Sequence, residues 1–174
     1  RLIVRIDQGS APEDGLSFIA ALDKTTGETV WDVDRPVASA WTTSIVIGPE
    51  GDLGREELIT VARPWVIAYN PADGSELWRA RGMEGDVAPS PVFAGGLVFA
   101  VSPSSQAMAI RAGGSGDVTE SRVAWTVWEG LPDTVSPLAD ETHYLQVESY
   151  GMVHCLRAGT GEELWEHDFA CSFK

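Results

Sequence analysis

The stretch Ala21-Leu22-Asp23-Lys24-Thr25-Thr26-Gly27-Glu28-Thr29-Val30-Trp31 decides the fold, because the chain repeats it. Ala68 to Trp78 reads Ala-Tyr-Asn-Pro-Ala-Asp-Gly-Ser-Glu-Leu-Trp, and Cys155 to Trp165 reads Cys-Leu-Arg-Ala-Gly-Thr-Gly-Glu-Glu-Leu-Trp. Each copy passes from a small residue through a large apolar one into a polar turn. Gly27, Gly74 and Gly161 then stand four positions before Trp31, Trp78 and Trp165. A fourth copy opens at Ala109-Ile110-Arg111 and closes at Trp125, with six extra residues in the polar, glycine-rich stretch Ala112 to Ser121. Such an insertion is expected at a hairpin tip, where a sheet tolerates it best.

A second marker runs alongside the first. Ser44, Ser90 and Ser136 are each 46 residues apart, and two of them read Ser-Pro followed by an apolar residue. A period of about 40–47 residues suits a four-stranded propeller blade. Strands fit between the marks. Val92-Phe93-Ala94, Leu97 to Val101 and Ala107 to Ile110 are β-rich, and Val123 to Trp128 alternates with the period of two of a strand. No segment sustains a 3.6-residue period with caps, so almost no helix is expected.

The glycines and tryptophans have physical reasons to recur. A tight hairpin turn needs positive φ, which glycine adopts without a Cβ clash. The tryptophan follows on the fourth strand, where its ring can fill the gap between neighbouring blades. Trp31, Trp78, Trp125 and Trp165, with Gly27, Gly74 and Gly161, are therefore read as structural residues.

The repeated stretch resembles the tryptophan-docking motif of pyrroloquinoline-quinone (PQQ)-like repeats. That family includes quinoprotein alcohol dehydrogenases and the outer-membrane assembly lipoprotein BamB. The resemblance covers nearly the whole chain and implies an all-β fold: a β-propeller of four-stranded antiparallel blades, with about four blades present. Blade units at 1–35, 36–82, 83–130 and 131–174 would form one partial propeller domain. Family members usually carry about eight blades, so a longer parent chain is the natural expectation. A two-fold dimer of halves, or a closed four-blade ring completed by Phe169 to Lys174, are the alternatives. Open blade faces are apolar and invite self-association.

Composition limits the function. Twelve basic against 26 acidic residues give a net charge of −14, which repels phosphate backbones and anionic lipid. No apolar run approaches the ~20 residues that span a bilayer. No signal-peptide core or initiator Met is present, so the chain reads as a piece of a longer protein. Cys155 and Cys171 lack zinc spacing, and the repeat register sets Cys155 opposite Trp165, so two free thiols are expected.

No catalytic constellation emerges. Quinoprotein dehydrogenases use an acidic base, a calcium ion and an adjacent-cysteine disulfide, and no Cys-Cys pair occurs. Nucleophile elbow, P-loop and dinucleotide fingerprint are absent too. His143, His154 and His167 lack ligand spacing and read as strand-edge or surface residues. The loop from Gly48 to Glu57 resembles the acidic calcium loop of FG-GAP propeller repeats, with Glu50, Asp52 and Glu57 as candidate ligands. Trp41, Asp86 and Asp133 each stand shortly before a first strand, in loops that open on one mouth of a propeller channel, and are the candidate binding residues.

The expected function is a non-catalytic, periplasmic or extracellular propeller scaffold that binds a protein or peptide and needs no cofactor. A fragment of a dehydrogenase dependent on PQQ and calcium is the first alternative. A calcium-stabilised adhesion-like propeller is the second.

Overall fold

The computed structural model describes residues 1–49 and 53–170. They form four antiparallel sheets stacked side by side as the blades of a partial β-propeller. Blade 1 has three strands, β1 (Leu2–Ile6), β2 (Phe18–Leu22) and β3 (Thr29–Asp34). Blade 2 has β4 (Ile45–Ile47), β5 (Glu57–Ala62), β6 (Trp65–Tyr69) and β7 (Glu76–Arg81). Blade 3 has β8 (Val92–Ala94), β9 (Leu97–Ser102) and β10 (Gln106–Arg111). The insertion then supplies β11 (Gly116–Asp117) and a single turn of helix, α1 (Thr119–Arg122), before the blade closes with β12 (Val123–Val127). Blade 4 has β13 (Leu138–Ala139), β14 (His143–Val147), β15 (Met152–Arg157) and β16 (Glu163–Asp168).

Alternation along the strands builds the interfaces. In β5, Leu58 and Ala62 join the cluster facing blade 1, whereas Ile59 and Val61 join the one facing blade 3. In β9, Val98 and Ala100 face blade 2, whereas Phe99 and Val101 face blade 4. A strand that is apolar on both sides is what an interior blade needs, because side chains of period two leave opposite faces of the sheet. Among the described residues, three cores thus lie between blades, and none lies within a single sheet.

The turn between third and fourth strands repeats in detail. The N–H of Gly27 donates to the carbonyl of Asp23 (2.8 Å), that of Gly74 to Asn70 (2.8 Å) and that of Gly161 to Arg157 (2.9 Å). The three glycines have φ of +76°, +76° and +73°. The loop is longer than a two-residue hairpin, and a β-bulge follows it in each blade, at Ala21/Leu22, Ala68/Tyr69, Ala109/Ile110 and Cys155/Leu156.

The insertion in blade 3 does more than lengthen a tip. Gly116 and Asp117 pair in parallel with Trp78 and Arg79 of β7, giving blade 2 a fifth strand. Val118 is buried in the cluster between blades 2 and 3. The outer edge of β7 would otherwise offer unpaired backbone to solvent.

Candidate functional site

Docking of the tryptophans fixes how the blades meet. The Trp31 indole lies on the turn of blade 2, where a Cβ added to Gly74 would sit 2.7 Å from its ring. Its Nε1–H donates to the carbonyl of Pro71 (3.3 Å). Trp125 lies on the turn of blade 4 in the same way. A Cβ at Gly161 would sit 2.8 Å from its ring, and its Nε1–H donates to the carbonyl of Ala158 (2.7 Å). Pro71 and Ala158 occupy the same place, three residues before the glycine. The glycine is thus doubly required, by its left-handed φ and by the ring above it.

Trp78 is fully buried but has a different partner. The turn it faces carries the insertion, and its Nε1–H donates instead to Oε2 of Glu57 (2.7 Å). The N–H of Gly113 also donates to that oxygen (3.2 Å). Arg55 holds the other oxygen, through Nε (3.0 Å) and Nη2 (2.9 Å). Glu57, one of the candidate calcium ligands, therefore points inward with both oxygens committed, and an ion drawing on it would have to displace Arg55 or the indole. The other two candidates, Glu50 and Asp52, lie outside the described residues. Trp165, on the last strand of blade 4, is 47% exposed.

A buried charge network, not legible in the sequence, joins blades 1 and 2. Asp7 accepts from Arg35 Nε (2.8 Å) and pairs with Arg5 (3.0 Å). Arg35 also donates to Thr60 Oγ1 (2.7 Å), and Arg5 to Thr42 Oγ1 (2.6 Å). Burial, opposed by Asp7 and reinforced by Arg35, holds the Arg5 guanidinium below its ordinary pKa. Arg35 lies over the Tyr69 ring, and burial pushes that phenol up.

Strand direction assigns every loop to one of two ends. One end, the upper face, carries the crossovers between blades and the turns between second and third strands. Trp41, Asp86 and Asp133 all belong to it. The loops that carry the first two are joined, because Ala40 bridges Val87 and the N–H of Trp41 donates to the Val87 carbonyl (2.9 Å). Asp133 sits in the next crossover, which is tied to its predecessor by the Ser90 N–H donating to Ser136 Oγ (3.0 Å). One period earlier, the N–H of Thr43 donates to Ser90 Oγ (2.8 Å). Thus Ser90 and Ser136 stitch the inner seam, whereas the Ser44 hydroxyl is buried without a partner among the described residues.

Aromatic and apolar side chains gather on this upper face. Leu16, Trp41, Trp128, Val135, Tyr150 and Phe169 are all exposed there. Among the described residues the turns at the opposite end expose no large hydrophobic side chain. Glu13, Asp14, Glu84, Asp86, Glu129 and Asp133 lie in the loops of this same face. The inner strands form a second surface, a groove of about 510 Å³ lined by Ile45, Val46, Val92, Phe93 and Leu138 among others, with no charged side chain among the described residues. Among the described residues no helix is long and apolar enough to cross a membrane.

Comparisons with known proteins agree with this architecture. The family described as outer membrane protein assembly factor BamB matches residues 16–172. No curated protein matches the sequence. BamB from Moraxella catarrhalis superposes over 96% of this chain and 51% of its own, at 16% identity and a TM-score of 0.59. Quinohemoprotein alcohol dehydrogenase from Comamonas testosteroni superposes over 98% of this chain and 39% of its own, at 12% identity and a TM-score of 0.71. Quinohemoprotein alcohol dehydrogenase ADHIIG from Pseudomonas putida HK5 does so over 98% and 39%, at 16% identity and a TM-score of 0.69. The chain thus spans about half or less of the length of these structures, and at such identities the likeness is one of fold. With its blades, docking tryptophans and glycine turns matched over residues 16–172, the chain belongs to the BamB family of PQQ-like repeat propellers.

Proposed function

We propose that the chain is part of a non-catalytic propeller platform that binds a protein segment on its upper face. The observation that carries this reading is the one-sided display of Trp41, Trp128, Tyr150, Val135 and Leu16. Exposed aromatics are the commonest energetic anchors of protein interfaces. The acids in the loops of the same face, Asp86 and Asp133 included, favour a segment with apolar and basic side chains. Membership of the BamB family supports a protein partner and a location outside the cytoplasm.

The described residues do not suit the quinone of the dehydrogenase relatives. PQQ is a tricarboxylate, so it needs cations and hydrogen-bond donors around it, and its calcium needs a cage of oxygens. The inner wall offers Ile45, Val46, Val92, Phe93 and Leu138 instead.

Peptides selected from a random library on the purified chain test the proposal. They should be rich in apolar and basic residues, and Trp41→Ala or Trp128→Ala should weaken them at least about tenfold, a normal anchor effect. A lower-face control, Thr25→Ala, should change nothing. Peptides indifferent to both tryptophans would overturn the reading. So would PQQ- and calcium-dependent dye reduction by the full-length parent with an alcohol.

A further inference from the structure

The pocket between blades 3 and 4 holds a cluster that the platform reading does not use. His154 on β15 and Glu163 and Glu166 on β16 offer donor atoms that all lie within 4.8 Å of one another. Sequence spacing hides the cluster. Residues three apart on a regular strand point to opposite faces. Here the register steps from Cys155↔Trp165 to Leu156↔Glu163, so Leu164 is the extra residue of a β-bulge. The bulge turns Glu163 to the same face as Glu166, which stands directly opposite His154.

Blade 2 is an internal control for this geometry. Its bulge lies at the same place, and Glu76 and Arg79 correspond to Glu163 and Glu166. That pair closes an ion bridge of 2.5 Å across the bulge. In blade 4 the arginine position is a glutamate, so two carboxylates converge where blade 2 carries its own cation. The 420 Å³ pocket beside them is lined by Glu129, Gln146, Trp128 and Thr126 among others, and among the described residues by no lysine or arginine.

His154 is held as a ligand would be. Its ring rests on Gly130, where an added Cβ would sit 2.6 Å away. Nε2 faces Glu148 Oε1 at 2.9 Å, and Nδ1 faces Glu163 Oε2 at 3.1 Å. A carboxylate on the far nitrogen of a metal-binding histidine fixes its tautomer and orientation and raises its basicity.

We propose that His154 Nδ1, Glu163 and Glu166 bind a divalent first-row transition-metal ion such as Zn²⁺, with Glu148 orienting the imidazole from Nε2. An imidazole with two carboxylates suits Zn²⁺, whereas Ca²⁺ takes oxygen ligands alone. Donors about 2.0–2.2 Å from the ion would stand about 3.4 Å apart, so binding draws the two glutamates, both exposed, slightly inward.

Zinc titration of the metal-free chain by calorimetry tests the site. One Zn²⁺ per chain should bind and raise the melting temperature, with no such rise for Ca²⁺. Glu166→Arg, which copies the pair of blade 2, should abolish binding while leaving the metal-free melting temperature equal or higher. Glu163→Gln should weaken binding, and Glu148→Gln should cost about 10-fold in affinity through the imidazole alone. If Glu166→Arg fails to fold, His154→Ala must abolish binding in its place. Absence of saturable zinc binding, or binding that survives both Glu166→Arg and His154→Ala, would overturn the proposal.

Discussion

Trp125 and Trp78 do the same job on either side of blade 3 with opposite chemistry. Trp125 donates to a neutral backbone carbonyl of the next blade, over a glycine turn. Trp78 meets the one turn that was lengthened, and donates to a buried carboxylate of its own blade. The difference shows that packing a large ring between blades does not suffice. A buried indole N–H needs an acceptor, and an unsatisfied one costs about 1–3 kcal/mol. Once the insertion altered the turn, Glu57 became that acceptor, and a buried carboxylate in turn required Arg55 and the Gly113 amide.

The largest expected effect follows from that dependence. Glu57→Ala strands a buried indole N–H and a backbone amide at once and should cost about 2–6 kcal/mol, at about 1–3 kcal/mol for each unsatisfied donor, while the half-exposed Arg55 keeps the Gly114 carbonyl and solvent. Urea unfolding midpoints measure it, and a cost below about 1 kcal/mol would dissolve the contrast between the two dockings. Gly161→Ala comes next. It combines a left-handed φ with a methyl driven into the Trp125 ring, for about 2–4 kcal/mol. Gly27 has the same φ but nothing within 4 Å of an added Cβ. Gly27→Ala should therefore cost only about 1–2 kcal/mol, and the gap between the two variants isolates the docking contact. Equal losses would mean that backbone strain alone matters.

Smaller effects sharpen the comparison. Trp78→Phe leaves a buried carboxylate short of a donor and should cost about 1–3 kcal/mol, whereas Trp125→Phe releases only a carbonyl and should cost about 0.5–1.5 kcal/mol. Reversal of that order would show that ring volume outweighs the hydrogen bond. Smallest of all, Trp165→Ala in the 174-residue chain should change stability by about 0.5 kcal/mol or less, the range of an exposed position. A cost near that of the buried tryptophans would mean that its ring is covered in solution.

The fold was legible because its markers are local and physically forced. Gly27, Gly74 and Gly161 serve a backbone conformation, Trp31, Trp78 and Trp125 each serve a gap between blades, and the glycine–tryptophan pairs Gly27/Trp31, Gly74/Trp78 and Gly161/Trp165 keep one spacing. What stayed hidden depends on exceptions to the repeat. Glu57 looks like a member of an acidic loop until the altered turn opposite Trp78 is known. Gly116 and Asp117 carry no strand pattern, and pair in parallel only because the loop runs along β7. His154, Glu163 and Glu166 look scattered until the bulge at Leu164 is counted. The candidate binding residues Trp41, Asp86 and Asp133 could be placed at one mouth by counting strands. Trp128, Val135 and Tyr150 were missed, since a single apolar residue in a loop gives no signal without its exposure.

The serine seam has a consequence for how such a protein grows. Each link joins unlike ends: an amide of one blade gives to a hydroxyl of the following one, from Thr43 to Ser90 and from Ser90 to Ser136. The unit opened by Ser90 therefore carries both plug and socket, its amide giving and its hydroxyl receiving. A gene duplication that copies that unit delivers a complete fastening with it, so the array can lengthen in a single genetic event without waiting for a matching change elsewhere.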